Sequence, residues 1–252
     1  MTKPLPERFD WIQIDGDILV YGICSACEYC ARFDDDLDVV FCNIKEVLHM
    51  VESAMTRYQN MAKGDLTVYF TGSGNFRKNL CSDYKAHRKK VRKPAGYKAV
   101  KELLADKYHC MTEDGLEADD LISLYQTAMV AEGGDSLIIS IDKDFKTIPG
   151  WMFNPDTEQF TYTTPEEAEV NWLTQVLTGD KADGYPGLAG VGPVTAKKIL
   201  KKGEWAEVEQ AYIDNGYTRE FAILQAQMAR LLRFGEYNFM TKEVKLWQPA
   251  TS

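Results

Sequence analysis

The chain has 252 residues, 45% hydrophobic and 27% charged, which is enough for one substantial core with a small appended unit. No run approaches the roughly 20 apolar residues that cross a bilayer, and the start, Met1-Thr2-Lys3-Pro4-Leu5-Pro6, lacks the apolar stretch of a secretory signal, so membrane and secreted classes are excluded and a cytoplasmic place is expected. The formal net charge is −9, yet residues 77 to 107 carry eleven basic residues against Asp83, Glu102 and Asp106, a local balance of +8 that leaves −17 elsewhere; an acidic body with one basic segment suits a protein that holds cations in one place and a polyanion in another.

Trp11 to Ile14 is a short β-favouring run that ends at Asp15-Gly16-Asp17, and helical spacing follows from Ile18 to about Ala31. Within that helix Cys24, Cys27 and Cys30 stand three apart. An iron–sulfur site would put its next ligand at position 34, which is Asp34, so the spacing reads as packing along one helix face. Without a secretory signal the six cysteines read as free thiols. Phe41 to Met61 predicts a second helix, and Leu66 to Phe70 a second strand ending in Gly72-Ser73-Gly74. After the basic segment, Ala95 to Asp106 has helical spacing, Tyr108 to Met111 reads as a short strand, and Gly115 precedes a helix from Glu117 to Ala131. Leu137 to Ile141 is the clearest buried strand, with Asp142-Lys143-Asp144 at its C-terminal end. This alternation implies an α/β fold with a mainly parallel sheet, whose ligand crevice lies outside the carboxyl ends of the strands. From Pro165 the pattern turns helical, interrupted by the glycine-rich run from Gly179 to Gly192. The expected division is an α/β core over 1–164 and a helical region over 165–252 packed on it.

Four acidic clusters stand out: Asp15; Glu117, Asp119 and Asp120; Asp142 and Asp144; Asp180 and Asp183. Singly, each has a plain structural explanation, since Asp-Gly makes turns and acids favour the first turn of a helix. Together, eight carboxylates in one crevice would repel and raise one another's pKa values, so their coexistence calls for bound cations. All-oxygen ligands favour Mg²⁺ or Mn²⁺ over zinc, and two such ions can clamp the attacking and leaving oxygens of a phosphodiester. On a helix, Glu117 and Asp120 can face one ion, with Asp119 turned about 100° away.

In order and spacing, the runs Gly115 to Asp120, Ile139 to Asp144 and Gly179 to Asp183 resemble the acidic motifs of the 5′ nucleases, the family of phage exonucleases and flap endonucleases. Asp83-Tyr84-Lys85-Ala86-His87-Arg88 resembles the basic arch motif of that family, and Gly187 to Ala196 its helix-three-turn-helix. The stretch Gln225 to Phe239 further resembles the exonuclease of T-odd phages, so the likeness runs from about Trp11 to Trp247. The resemblance implies a PIN-like nuclease core with an arch at about 72–95 and a helix-three-turn-helix at about 180–202. It implies two divalent ions, Mg²⁺ or Mn²⁺, held by Asp15, Glu117, Asp119, Asp120, Asp142, Asp144, Asp180 and Asp183. Lys85 and Arg88 would then contact the scissile phosphate, and the products would carry a 5′-phosphate and a 3′-hydroxyl.

Arg77, Lys89, Lys90, Arg92 and Lys93 would supply sequence-independent attraction to DNA, and Phe76 and Tyr84 would stack on bases or pack. Gly187, Gly190 and Gly192 would let the phosphate backbone approach, beside Lys197 and Lys198 and the free amides of the following helix. The resemblance also implies a monovalent cation such as K⁺ at that turn. One departure is visible: after its second strand the family has an Asp ligand, and here Gly72 stands there, leaving Asp17 or a water to take over. The expected function is a metal-dependent 5′ to 3′ exonuclease on duplex DNA ends, with flap cleavage and removal of RNA from RNA–DNA hybrids. A PIN-type RNase would explain the acids but not the arch or the glycine-rich turn. A catalytically silent DNA-binding protein would explain those two and leave the acids without a task.

Overall fold

The computed structural model describes residues 3–34, 37–86 and 91–250. A six-stranded sheet has the order β5-β4-β1-β6-β7-β8, built from β1 (Trp11–Asp15), β4 (Asp65–Tyr69), β5 (Cys110–Met111), β6 (Ser136–Ile139), β7 (Gly150–Asn154) and β8 (Gln159–Thr163). Neighbours are parallel except the last pair, β7 with β8, which is antiparallel. The expected α/β architecture with a mainly parallel sheet is therefore present. From β1 the chain moves first to β4 and β5 on one side, and later to β6 and β7 on the other. The order reverses beside β1, and a ligand crevice forms where the strand ends diverge.

The strands alternate in the way a sheet covered on both faces requires. Ile12 and Ile14 of β1, Val68 of β4, and Leu137 and Ile139 of β6 face the cluster formed with α1 (Gly16–Ala26), α2 (Ile44–Ala62) and α4 (Tyr97–Lys107). Tyr69 and Ile138 face α5 (Ala118–Ala131) on the other side. Gln13 also points there, fully buried, and its amide nitrogen donates to Gln126 of α5 at 2.8 Å, so the donor side of this polar residue in the central strand is paired while its oxygen is not.

A separate core holds Trp172, Val176, Ala196, Val208, Tyr212 and Ala226. It joins α6 (Pro165–Thr178), α7 (Pro193–Ile199), α8 (Trp205–Asp214) and α9 (Arg219–Ala229). Thr164 caps α6 with a reciprocal Thr164–Glu167 capping box and Pro165 at its first position, so the start of the helical region is written in three residues. The chain then returns to the α/β core, where Leu231, Leu232 and Tyr237 pack with α5 and Tyr69.

Two local expectations are corrected. The first helix does not continue to Ala31; it stops at Ala26, where the Cys27 amide caps Ile23 and Ser25. An antiparallel hairpin of β2 (Glu28–Asp34) and β3 (Leu37–Cys42) follows, rich in the aromatic and β-branched residues that favour strands. Cys24 and Cys27 are therefore buried at the end of α1 while Cys30 is exposed on β2, and the three do not share a helix face. The predicted second helix begins at Ile44 rather than Phe41, because Phe41 pairs with Tyr29 in that hairpin and Asn43 is the cap. Among the described residues no helix is long and apolar enough to cross a membrane.

Candidate active site

Asp15 ends β1 at the reversal point, and its carboxylate accepts from the Ile18 amide at 3.1 Å and the Ser140 hydroxyl at 3.0 Å. Ser140 follows β6, and its hydroxyl accepts from the Asp142 amide at 3.0 Å, so one serine links the acids at the ends of the two central strands. Asp142 in turn accepts from the Asp144 amide at 2.9 Å, opening a single 3-10 turn that aims both carboxylates back over the sheet. Burial, then the neighbouring charges of Asp17 and Asp142, push Asp15 up to about 7 despite those hydrogen bonds. Burial and the charge of Asp142 raise Asp144 to about 6, with Asp183 and Asp180 adding to it.

The opposite bank is the start of α5, where oxygens of Glu117, Asp119 and Asp120 lie within 4.8 Å of one another. They are not equivalent. Asp120 is fully buried, and the Arg77 guanidinium grips it bidentately with two bonds of 2.7 Å. Asp119 is driven well above the usual carboxylate range by burial and by the charges of Glu117 and Asp120. Burial also pushes Glu117 up, but the Lys85 and Arg77 charges and the Lys85 and Tyr84 hydrogen bonds more than offset it, and its pKa ends below normal. The Lys85 ammonium lies 2.8 and 2.9 Å from the two Glu117 oxygens and 3.6 Å from Asp183.

Asp180 and Asp183 come from the turn after α6. Asp180 pairs with Lys143 at 3.3 Å, and the Asp183 carbonyl accepts from the Lys85 amide at 3.0 Å, which holds Lys85 at φ +50°. This turn depends on Gly179 and Gly187, both at positive φ and packed backbone to backbone; a Cβ on Gly187 would lie 2.3 Å from the Gly179 nitrogen. The acids expected as ligands are thus linked by charge rather than gathered at one distance: Asp142 acts on Asp15, Asp142, Asp180 and Asp183 act on Asp144, and Lys85 joins Asp183 to Glu117, while among the described residues Glu117, Asp119 and Asp120 form the tight group; an all-oxygen set of this kind fits hard divalent cations.

The structure changes several other expectations. Arg77, expected to attract phosphate, is 2% exposed and spends its charge on Asp120. That pairing also alters the expected part of Asp120, whose charge is already compensated before any ion arrives. Tyr84 is buried, its hydroxyl donating to Glu117 at 2.7 Å, so it packs and cannot stack on bases. Phe76 is half-buried under the Arg77 guanidinium. Arg92 is exposed but pairs with Glu28 at 2.7 Å, and Lys93 is exposed with its ammonium over the Tyr97 ring. Gly187 is buried, whereas Gly190 and Gly192 have nothing within 4 Å of a Cβ and lie open beside exposed Lys197 and Lys198. Arg88, Lys89 and Lys90 fall outside the described residues.

The missing carboxylate at Gly72 has a steric reason. A Cβ there would lie 2.0 Å from the Glu113 carbonyl oxygen, and the Gly72 amide donates to Leu116 at 3.1 Å. Asp17 sits alongside, but one oxygen accepts from the Thr71 amide at 2.8 Å and the other from the Tyr97 hydroxyl. Gly72→Asp is therefore expected to destabilise the fold by about 1–3 kcal/mol through overpacking, without tightening metal binding. Thermal melting with and without Mg²⁺ checks this, and a melt unchanged in EDTA but raised above wild type by Mg²⁺ would contradict it. Tyr97, Lys101 and Ser140, which sequence reasoning did not single out, support this end of the crevice; Lys101 donates to the Thr71 carbonyl at 3.2 Å. A serine just past a buried strand and before Asp142 was the one available signal.

The raised acids make a pH prediction. With no ion bound, Asp15 and Asp144 hold protons in the fold that the unfolded chain releases near 3.8. Their contribution to stability is complete below that value and is lost as pH rises through about 6 and then about 7. In EDTA the melting temperature is expected to fall between pH 5 and pH 8, while Mg²⁺ stabilises at pH 8 and hardly at pH 5, where protons compete for the same oxygens. Equal Mg²⁺ stabilisation at both pH values would contradict this.

Comparison with known proteins gives the same picture. The 5′-3′ exonuclease N-terminal resolvase-like domain matches residues 11–181. The exonuclease of Escherichia phage T7 is 34% identical, covering 94% of this chain and 92% of its own, and the exodeoxyribonuclease of Enterobacteria phage T3 is 32% identical with the same coverage. Among solved structures, the T5 5′-exonuclease with divalent metal ions (zinc) bound superposes with a TM-score of 0.67 at 16% identity, over 88% of this chain and 89% of that one. The T5 flap endonuclease in a pseudo-enzyme–product complex with DNA and metal ions gives 0.63 over the same shares, a likeness of fold. With the family match spanning most of the α/β core and the phage relatives nearly the whole chain, this protein belongs to the 5′-3′ exonuclease family and is an enzyme of that class.

Proposed function

We propose that this enzyme degrades DNA from 5′ ends in duplexes, cleaves 5′ flaps and removes RNA from RNA–DNA hybrids, using two Mg²⁺ or Mn²⁺ ions in the cytoplasm of a cell. What supports the reading is the acidic group of Glu117, Asp119 and Asp120 at the start of α5, joined through the Lys85 ammonium to Asp183, whose charge with those of Asp142 and Asp180 acts on Asp144, while Asp142 also acts on Asp15. The donor set fits the ions: the raised Asp15, Asp119 and Asp144 are acids whose charge nothing nearby fully compensates. When bound, such ions supply an activated water and charge neutralisation at the phosphate.

The chain's own residues do the remaining work. Ser140 fixes Asp15 and Asp142, Arg77 fixes Asp120 at the base of α5, and Tyr84 and Lys85 fix Glu117. Lys85 and Arg88 stabilise the charge that develops on the phosphate oxygens. The open Gly190 and Gly192, with Lys197 and Lys198, form a sequence-independent seat for the duplex backbone, where backbone carbonyls also hold K⁺. Lys93 extends the basic approach, while Arg92 serves chiefly to tie the hairpin to the arch through Glu28.

The test is cleavage of a 5′-labelled duplex and a matching 5′-flap DNA with Mg²⁺, against EDTA and against Asp142→Ala. Release from the 5′ end that needs Mg²⁺ and is lost in the variant is expected. Retained DNA binding with no cleavage of either substrate would instead favour a silent DNA-binding protein, and cleavage confined to RNA a PIN-type RNase.

A further inference from the structure

The Lys85 side chain is nearly buried among carboxylates from both banks of the crevice. Its ammonium is held by both Glu117 oxygens at 2.8 and 2.9 Å, lies 3.6 Å from Asp183, and takes its strongest electrostatic support from Asp119. These are oxygens that a divalent ion at the same bank must claim. A carboxylate oxygen engaged by an ammonium cannot face an ion along the same direction, and a +1 and a +2 charge in contact with one carboxylate repel. The backbone of Lys85 is pinned separately, by its amide to the Asp183 carbonyl at 3.0 Å and by Gly184, whose Cβ position the Asp83 carbonyl oxygen already crowds at 2.7 Å. The side chain can therefore leave while the backbone stays.

We propose that Lys85 is an internal competitor for the metal site, and that an anionic phosphate which draws its ammonium away from Glu117 thereby tightens ion binding. This rests on the nuclease reading and adds a coupling between its two ligands. Before substrate arrives, Lys85 compensates Glu117 and weakens the hold on the ion. When a phosphate takes the ammonium, the Glu117 oxygens lose that competitor and can face the ion. Linkage makes the effect reciprocal: the ion must improve phosphate binding by the same factor. The site is then fully loaded only with DNA in place, which limits hydrolysis of chance substrates by a preloaded enzyme.

The test is Mn²⁺ binding to the full chain, read from the free-ion electron paramagnetic resonance signal without any turnover. Wild type is compared with Lys85→Met and Lys85→Gln, each with and without a phosphorothioate duplex that resists cleavage. Both variants are expected to bind Mn²⁺ at least about 5-fold more tightly than wild type in the absence of DNA. Adding the duplex is expected to tighten binding in wild type by a similar factor and to change the variants little. Lys98→Met serves as the charge control, since Lys98 is exposed and lies 3.8 Å from Glu102 rather than beside a ligand acid. Equal or weaker affinity in both Lys85 variants overturns the proposal, as does an equal gain in Lys98→Met, which would reduce the effect to net charge. A folded Lys85 variant is confirmed by an unchanged melt; if Met disrupts the arch, Gln keeps the comparison. Failure of DNA cleavage with a positive result here would sink the nuclease reading and leave the competition standing.

Discussion

Arg77→Met is expected to destabilise the protein by about 3–5 kcal/mol. Arg77 is 2% exposed and Asp120 fully buried, so removing the guanidinium strands a carboxylate in a place water does not reach. The guanidinium also donates to the Met228 carbonyl at 3.3 Å and the Arg230 carbonyl at 2.5 Å, and Asp120 accepts from the Leu232 amide at 3.3 Å. One ion pair thus fastens the short helix Arg77–Leu80, the first turn of α5 and the chain returning from the helical region. Lysine offers a point charge without the planar fork, so Arg77→Lys should recover little. The double variant Arg77→Met/Asp120→Leu removes both charges and should be more stable than Arg77→Met alone. Urea unfolding measures all three. A loss below about 1 kcal/mol for Arg77→Met would mean that the pair is solvated in solution and fastens nothing.

Arg77 also shows where sequence reading stops. Composition placed it in a basic segment, and there it looked like a phosphate contact. Nothing local distinguishes an arginine that faces DNA from one whose partner lies 43 residues away in the chain. For the same reason nothing local decides between stacking and packing for Tyr84, which packs. The alternating core was more legible because its signal is local: Leu137 to Ile139 is apolar throughout, Asp15 directly follows a short buried run and Asp142 comes two residues past another, so their placement at neighbouring strand ends follows from parallel-sheet topology. The hairpin after Ala26 was hidden because three-residue cysteine spacing and apolar side chains satisfy helical and strand patterns alike over a few residues. Gly72 was visible as a departure, but its cause, the Glu113 carbonyl pressed against it, is a tertiary contact.

The second large effect concerns rate. Lys85→Met is expected to lower kcat by about 10²–10³-fold with saturating metal, while KM for DNA changes far less. For ground-state attraction to DNA exposed lysines elsewhere can stand in for the ammonium, but among the described residues it is the cation that contacts both Glu117 and Asp183, where charge on the phosphate would develop. Lys85→Arg should restore only part of the rate, because its φ of +50° and the tight Asp83–Gly184 packing fix where the side chain starts, and a longer planar fork overshoots a site shaped for a point charge. Rapid-quench single-turnover cleavage of a 5′-labelled duplex across a Mg²⁺ series measures this. If Lys85 opposes the ion until DNA draws it away and also stabilises the transition state, the variant's deficit stays constant across the series at saturating DNA and shrinks as Mg²⁺ is lowered at DNA well below KM, because free wild type then loses occupancy first. A deficit that is constant at both DNA concentrations would leave Lys85 a role in the chemical step alone. A deficit that widens at low Mg²⁺ would show that Lys85 helps to hold the ion, and would reverse the sign of the coupling.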